Sequence, residues 1–179
     1  MGDGEKEQLI VDTQLSREPE IGRWLWALQN TRQRTMREIA RLTPAMIDWP
    51  PGHDDSSIGA ILYHLADIEA DWLYVEGLAR PIPPEVRAIF PQQARDEQGH
   101  LTQVMGDTLE EHVSRLETVR GLLLEAYGQM TLAEFRQVRA LEPYDVTPEY
   151  VLHHLMQHEA EHRSQIGGLR IAAQRALAQ

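Results

Sequence analysis

The chain has 179 residues, with 17 Lys and Arg against 28 Asp and Glu, so its formal net charge is −11 at pH 7. That length suits one domain with a sizeable core, and the acidic balance disfavours nucleic acid and anionic membrane surfaces as partners. Eight His and no Cys exclude disulfides, thiolate metal sites and cysteine nucleophiles, so any metal would be held by His and carboxylates.

The spacing of apolar residues predicts the first two helices. Apolar residues recur at helical intervals over residues 16–42, and Pro44 ends that run, which predicts helix one. A segment rich in Pro, Gly and Asp follows, and Ser56 or Ser57 can cap the next helix. The apolar run over residues 58–73 then predicts helix two.

Start signals mark two further helices after a long connection. Residues 77–106 contain several prolines, so we expect a connection with at most short helical turns. Thr108 and Glu111 match a capping box, and helix three follows, with Arg120 among the positions that recur at helical intervals. Thr147 as N-cap and Pro148 at the first helical position predict helix four, which extends to about residue 173.

Four amphipathic helices predict an all-α fold, a four-helix bundle with a long connection between helices two and three. Few segments alternate with period two, so we expect no sheet. Residues 1–15 are predicted to be a flexible N-terminal segment, and residues 16–179 a single bundle domain. No run approaches the roughly 18 apolar residues of a membrane span, and the amino terminus lacks a secretory pattern, which predicts a soluble, cytoplasmic protein.

Half of the eight histidines fall on predicted helix four. At about 100° per residue, His158 and His162 lie within its apolar stripe, His154 lies at the edge and His153 points away. Two inward imidazoles one turn apart can bind one divalent ion, or they can be core histidines that neighbouring Gln, Glu or backbone groups satisfy. The spacing of the pair favours the metal.

The same residues match two metal motifs that need further ligands. His158, Glu159 and His162 fit the H-E-x-x-H signature of zinc peptidases, but the 17 residues after His162 contain no His, Asp or Glu. Glu159 and His162 also fit one Glu-x-x-His of a di-iron bundle, and no second copy is present. A single metal ion is therefore the favoured interpretation.

A catalytic mononuclear site needs a third protein ligand from another helix. His64 on helix two and His112 on helix three are the candidates. Helical phase slightly prefers His112, which lies closer to the centre of its apolar stripe, and either residue can instead be a boundary histidine with one solvated nitrogen.

Two segments place the candidate histidines in longer motifs. They are SSIGAILYHLADIEADWL, which follows Trp-Pro-Pro, and VLHHLMQHEAEHRSQIGGL, which carries a His-x-x-x-His followed by Arg and Gln. Both segments resemble the signatures of the DinB/YfiT-like metalloenzymes. The resemblance covers most of the chain and implies that His64, His158 and His162 are the metal ligands. The chain departs from the family pattern at Glu161, where a second His is frequent, and at Ser164, where Gly is frequent.

The resemblance also implies a bundle with an unusual helix order and frequent homodimerisation. Family members of known activity are mainly thiol-dependent transferases or isomerases, some of which use bacillithiol or mycothiol. It therefore predicts a small-molecule substrate and a low-molecular-weight thiol cosubstrate, which must supply the sulfur because the chain has no Cys.

Three neutral imidazoles leave the full charge on a divalent ion, which lowers the pKa of a bound water or thiol. Such a site can support S-transfer or hydrolysis, with zinc or nickel favoured over iron. Glu69 and Glu159 face the apolar sides of their helices, so we expect each to orient a ligand or act as a catalytic general base, or else to form a buried hydrogen bond alone.

Further residues have more ordinary roles. Arg163 and Gln165 match the family motif, and packing and hydrogen bonding at the helix end are favoured for both. Trp24, Trp49 and Trp72 are expected in the core or in a pocket wall.

Three hypotheses about function follow from the sequence. The first is a metal-dependent enzyme, a thiol-dependent transferase or a hydrolase. The second is a metal-stabilised dimeric bundle that acts as a stress-response or binding module without turnover. The third, a di-iron bundle, requires two irons in each chain.

Overall fold

The computed structural model describes residues 10–52 and 56–178, and in them the chain forms an all-α bundle. Part of the segment rich in Pro, Gly and Asp, the start of the predicted flexible segment and the last residue lie outside these ranges. The long helices are α1 (Pro19–Ile39), α3 (Ile58–Asp71), α5 (Leu109–Gly128) and α7 (Pro148–Leu177). They correspond to the four helices predicted from the sequence, and the division into a flexible segment and one domain stays a prediction.

Short elements fill the connections. They are α2 (Pro44–Ile47), a π-helix (Trp72–Gly77) that continues α3, α4 (Pro84–Arg87), α6 (Leu132–Phe135), β1 (Arg139–Ala140) and β2 (Asp145–Val146). The long connection after helix two is confirmed, with only α4 and one isolated bridge between Arg95 and Leu101 along it. The antiparallel β1–β2 pair was not expected, because two residues in each strand are too few to show an alternating pattern.

Side-chain caps fix the starts of α3, α5 and α7 where the sequence placed them. Ser57, rather than Ser56, caps α3 by accepting a hydrogen bond from the backbone N–H of Ala60 at 3.1 Å. Thr108 and Glu111 form the predicted capping box of α5, and Thr147 caps α7. Each cap satisfies backbone donors that a helix start leaves unpaired.

The helices do not pack in chain order around the bundle. Helix α1 packs against α7 and α5, and α3 packs against the same two helices. Helices α1 and α3 are therefore diagonal neighbours, as are α5 and α7. This arrangement needs connections that cross an end of the bundle, and it places α3 directly beside α7.

Helix α3 is the most enclosed of the four. Twelve of its fourteen residues are buried, because its sequence is apolar on nearly every side. It passes into the π-helix at Trp72, where the wider turn shifts the phase of the following side chains. Gly77 ends that turn close to Tyr127, whose hydroxyl would lie 2.6 Å from a Cβ at this position, so a side chain there would clash.

Candidate metal centre

Three histidines from α3 and α7 converge where these two helices meet. Helix α3 contributes His64, which is 3% exposed, and α7 contributes His158 and His162 from successive turns. One ring nitrogen of each lies within 4.8 Å of the others, and no other such group of metal-ligating side chains occurs among the described residues. We call these three residues the histidine centre.

The distances in the histidine centre fit metal ligands better than hydrogen bonds. The Nε2 atom of His158 lies 3.2 Å from Nε2 of His64 and 3.1 Å from Nε2 of His162. A neutral imidazole nitrogen either donates one hydrogen bond or accepts with one lone pair, so Nε2 of His158 cannot satisfy both neighbours. Two imidazoles bound to one tetrahedral ion at about 2.0–2.1 Å would have their nitrogens about 3.3 Å apart.

Burial keeps the histidine centre uncharged at neutral pH. Burial, and then the neighbouring His162 and His64, lower the pKa of His158 to about 3. Burial, followed by His162, lowers the pKa of His64 to about 4. Burial also lowers the pKa of His162, although its hydrogen bond with Gln165 opposes that effect. Neutral imidazole is the form that binds a metal, so all three nitrogens are available as ligands.

Gln165 fixes the orientation of one ligand. Its Oε1 lies 2.7 Å from Nδ1 of His162, and an amide oxygen can only accept, so Nδ1 of His162 carries the proton. The lone pair of His162 is therefore on Nε2, which faces the other two histidines. Such outer contacts orient metal ligands and tune their basicity. Arg163, by contrast, donates to the backbone carbonyl of Thr31 at 3.3 Å.

His112, the alternative third ligand, lies elsewhere. It is fully buried, and its Nε2 would be 3.4 Å from a Cβ at Gly59, near the start of α3. Gly59 is five residues before His64, or about 7.5 Å along the helix axis. The helical phase thus placed His112 in the interior correctly, but only His64 joins His158 and His162.

Glu69 and Glu159 are brought together by two arginines that the sequence reasoning did not pair with them. Arg32 donates to Glu69 at 2.6 Å and to Glu159 at 2.8 Å. Arg120 donates to Glu69 at 2.6 and 3.0 Å and to Glu159 at 2.9 Å. The four side chains come from α3, α7, α1 and α5, one from each long helix, and we call them the charge ring.

The charge ring is buried and balanced. Its residues are at most 5% exposed, and its two positive and two negative charges sum to zero. Burial alone would raise the pKa of Glu159, but Arg32 and Arg120 outweigh it and lower the pKa. The oxygens of Glu159 therefore bind guanidinium groups, whereas a zinc peptidase would need this residue free as a general base. The catalytic role of Glu69 and Glu159 stays a prediction.

The tryptophans differ in their surroundings. Trp24 donates from Nε1 to Glu149 at 3.3 Å, and Trp49 packs against the core. Trp72, the first residue of the π-helix, stacks on His154 with ring centroids 3.8 Å apart. His154 in turn stacks on His158 at 5.7 Å. Trp72 also lines a pocket of about 400 Å³, so a row of rings connects this pocket to the histidine centre.

Fold and site together define a helical-bundle protein with three histidines arranged to hold a metal ion. A family profile described as the DinB superfamily matches residues 27–166, and the chain belongs to that superfamily. The resemblance seen in the sequence is thereby confirmed. No curated protein matches the chain. None of the described helices is long and apolar enough to cross a membrane.

Proposed function

We propose that this protein is a metal-dependent enzyme that acts on a small molecule by thiol-dependent S-transfer or by hydrolysis. The convergence of three neutral Nε2 atoms in the histidine centre is the observation that carries the proposal. His64, His158 and His162 would hold the ion, and a site with three protein ligands leaves a position open for a substrate.

A divalent ion held by three neutral imidazoles supplies a strong local positive charge, which lowers the pKa of a water or thiol that binds there. Gln165 keeps the lone pair of His162 on the inward Nε2, and burial lowers the pKa of His64 so that its imidazole is neutral. Because the chain has no Cys, S-transfer requires a thiol cosubstrate. An all-imidazole set suits zinc or nickel, and iron is the third candidate.

Glu69 and Glu159 support a narrower role than the catalytic one expected from the sequence. Glu69 is five residues after His64 on α3, and Glu159 follows His158 on α7. Through the charge ring they tie these helices to α1 and α5, so we propose that they act as positioning residues for the histidine centre. Glu159→Gln separates the two roles, because a positioning residue alters metal affinity whereas a general base alters the pH profile of turnover.

Metal analysis of untagged protein tests the proposal directly. After reconstitution with zinc or nickel, we expect about one ion per chain in the wild type and a large loss in His158→Ala and His162→Ala. His153→Ala is the matched control, since His153 is exposed on the same helix and outside the histidine centre. A wild-type protein that retains no metal after reconstitution would remove the proposal.

Turnover separates the enzyme from the non-catalytic bundle. The metal-loaded protein is assayed with a panel of electrophiles, each in the presence and in the absence of a low-molecular-weight thiol. Metal-dependent product that disappears in His158→Ala supports the enzyme, and dependence on the thiol distinguishes S-transfer from hydrolysis. Metal that raises the melting temperature while no product forms would favour the binding module.

We also propose that the protein forms a homodimer in the cytoplasm, as the family resemblance implies. Light scattering coupled to size-exclusion chromatography tests the dimer, which should have twice the 20.5 kDa mass of the chain. A mass of one chain at all concentrations would contradict it.

A further inference from the structure

The pocket beside the histidine centre has walls of aromatic rings. Trp72 of the π-helix lines it together with Tyr144, which precedes β2, and Tyr150 on the first turn of α7. The Trp72 ring is nearly parallel to that of Tyr144, with an interplanar angle of 16° and centroids 6.5 Å apart. The Tyr150 ring is tilted by 36° from Trp72 at 6.4 Å. Three aromatic rings therefore line one pocket.

A buried carboxylate lies behind this aromatic wall. The Tyr144 hydroxyl donates to Oε1 of Glu76 at 2.8 Å, which ties the β1–β2 connection to the π-helix. Glu76 is 5% exposed, and its Oε2 has no hydrogen-bond partner among the described residues. Burial, followed by Glu76, raises the pKa of Tyr144 to about 12, so the phenol keeps the proton that it donates. Glu76 is therefore linked to the pocket through the Tyr144 hydroxyl.

The charged lining of the pocket has one sign. Asp145 lines the cavity directly, and none of the described residues that line it is Lys or Arg. Arg139, the nearest arginine along the chain, lines a different cleft that also includes Glu134. An anionic ligand would therefore find no counter-charge in this cavity. Faces of Trp and Tyr attract cations through their ring quadrupoles, and nearby carboxylates add to that attraction.

We infer that this pocket binds the cationic head of the substrate, an organic ammonium ion, and holds it beside the histidine centre. The inference rests on the function proposed above, because it names the substrate class for the same centre. The ring row from Trp72 through His154 to His158 gives the pocket its place next to the metal ligands. A π-helix is frequent at functional sites, and here it supplies both Trp72 and Glu76.

Three probes of nearly equal shape test the inference by calorimetric titration of the zinc-loaded full chain. Choline carries the positive charge, 3,3-dimethylbutan-1-ol is its uncharged counterpart and 3,3-dimethylbutanoate carries a negative charge. We expect choline to bind about tenfold or more tightly than the alcohol, and the acid to bind most weakly. Equal binding of choline and the alcohol, or tighter binding of the acid, would overturn the inference.

Three variants locate the binding. Tyr150→Leu and Asp145→Asn change exposed positions that tolerate substitution, and each should weaken choline binding several-fold. Asp145→Asn should leave the alcohol unchanged, because only the charge is removed. Trp49→Leu, a tryptophan outside the pocket, is the matched control and should bind choline as the wild type does. Unaltered choline binding in both pocket variants would overturn the assignment.

Two readouts distinguish this inference from the proposed function. Metal analysis of the same samples shows which of the two hypotheses fails. Protein that retains no metal but still binds choline more tightly than the alcohol contradicts only the metal enzyme. Metal-loaded protein that binds choline and the alcohol equally contradicts only the ligand class. Nuclear magnetic resonance then tests the position of the ligand. The N-methyl protons of bound choline should broaden in cobalt-loaded protein relative to zinc-loaded protein, and equal linewidths would overturn their placement beside the metal.

Discussion

Replacing Glu69 by Gln tests how strongly the charge ring stabilises the bundle. Glu69 accepts three hydrogen bonds from Arg32 and Arg120, at 2.6, 2.6 and 3.0 Å. The amide keeps the size of the side chain and one acceptor oxygen, but the ring then carries a net charge of +1 in the interior. Removing one partner of a buried ion pair costs about 3–5 kcal/mol, because the remaining charge stays desolvated.

Chemical and thermal denaturation followed by circular dichroism measure the loss in metal-free protein. A chain of this size loses about 2–4 °C in melting temperature for each kcal/mol, so we expect a decrease of about 6–20 °C. Glu38→Gln is the matched control. Glu38 accepts from Arg170 at 2.8 Å in a more exposed pair, and its loss should cost at most about 1 kcal/mol.

A second substitution checks the electrostatic cause. Adding Arg32→Gln to Glu69→Gln returns the ring to zero net charge, with Arg120 and Glu159 still paired. The double variant should therefore lose less stability than the sum of the two single variants, since residues in one network are coupled. A loss of less than about 1 kcal/mol in Glu69→Gln, equal to that in the control, would refute the reasoning.

Three further predictions concern the metal ligands, pH and capping. Gln165→Ala removes the acceptor for the Nδ1–H of His162 and should weaken metal affinity about 10–100-fold. Competition with a coloured chelator measures that affinity. The pKa values of His64 and His158 are about 4 and about 3, below the usual value near 6.5. Between about pH 6.5 and pH 3, the unfolded chain therefore binds more protons than the folded chain. The metal-free protein should therefore lose stability as pH falls from about 6.5 towards 3, as followed by melting temperature. Thr108→Ala removes the side-chain cap of α5 and should cost about 1 kcal/mol in urea denaturation.

Each of these predictions has a control. Ser164→Ala, at the exposed residue before Gln165, should retain metal affinity, and an equal loss there would contradict the orienting role. The acid loss of stability should be smaller in His158→Ala, since that variant lacks one of the shifted groups. Thr118→Ala changes an exposed threonine within α5 that caps no helix start, and a cost equal to that of Thr108→Ala would contradict the capping explanation.

Helix positions were predictable from the sequence because their signals are local. Capping boxes, proline at the first turn and apolar spacing all act within a few residues, and Thr108, Thr147 and Pro148 lie where these signals placed them. Local patterns do not predict the diagonal order of the helices, because that order depends on which apolar faces meet in three dimensions. The π-helix has no fixed residue pattern, and the wide turn depends on packing around Trp72 and Gly77.

Helical phase and the family resemblance predicted the histidine centre, but not the charge ring. Helical phase identified His158 and His162 because both residues lie on one helix, where their spacing alone places them on the same inward face. It ranked His112 above His64, since phase reports burial and not which neighbour a side chain meets. Glu69 was expected to face inward, but its arginine partners lie on other helices. The position of Arg120 within the apolar stripe of helix three was the available signal, because an arginine there needs a buried partner.

The charge ring stabilises the bundle, whereas the histidine centre would hold the metal ion. Proteins whose fold depends on metal ligation unfold when a chelator strips the ion. Here the ion would be held by α3 and α7 alone, while the ring cross-links all four helices with protein groups only. We therefore expect the chain to stay folded through cycles of metal loss and recovery. Which ion the protein carries in a cell would then depend on the supply of each metal and on the preference of the histidine ligands. One metal could replace another without synthesis of a new chain.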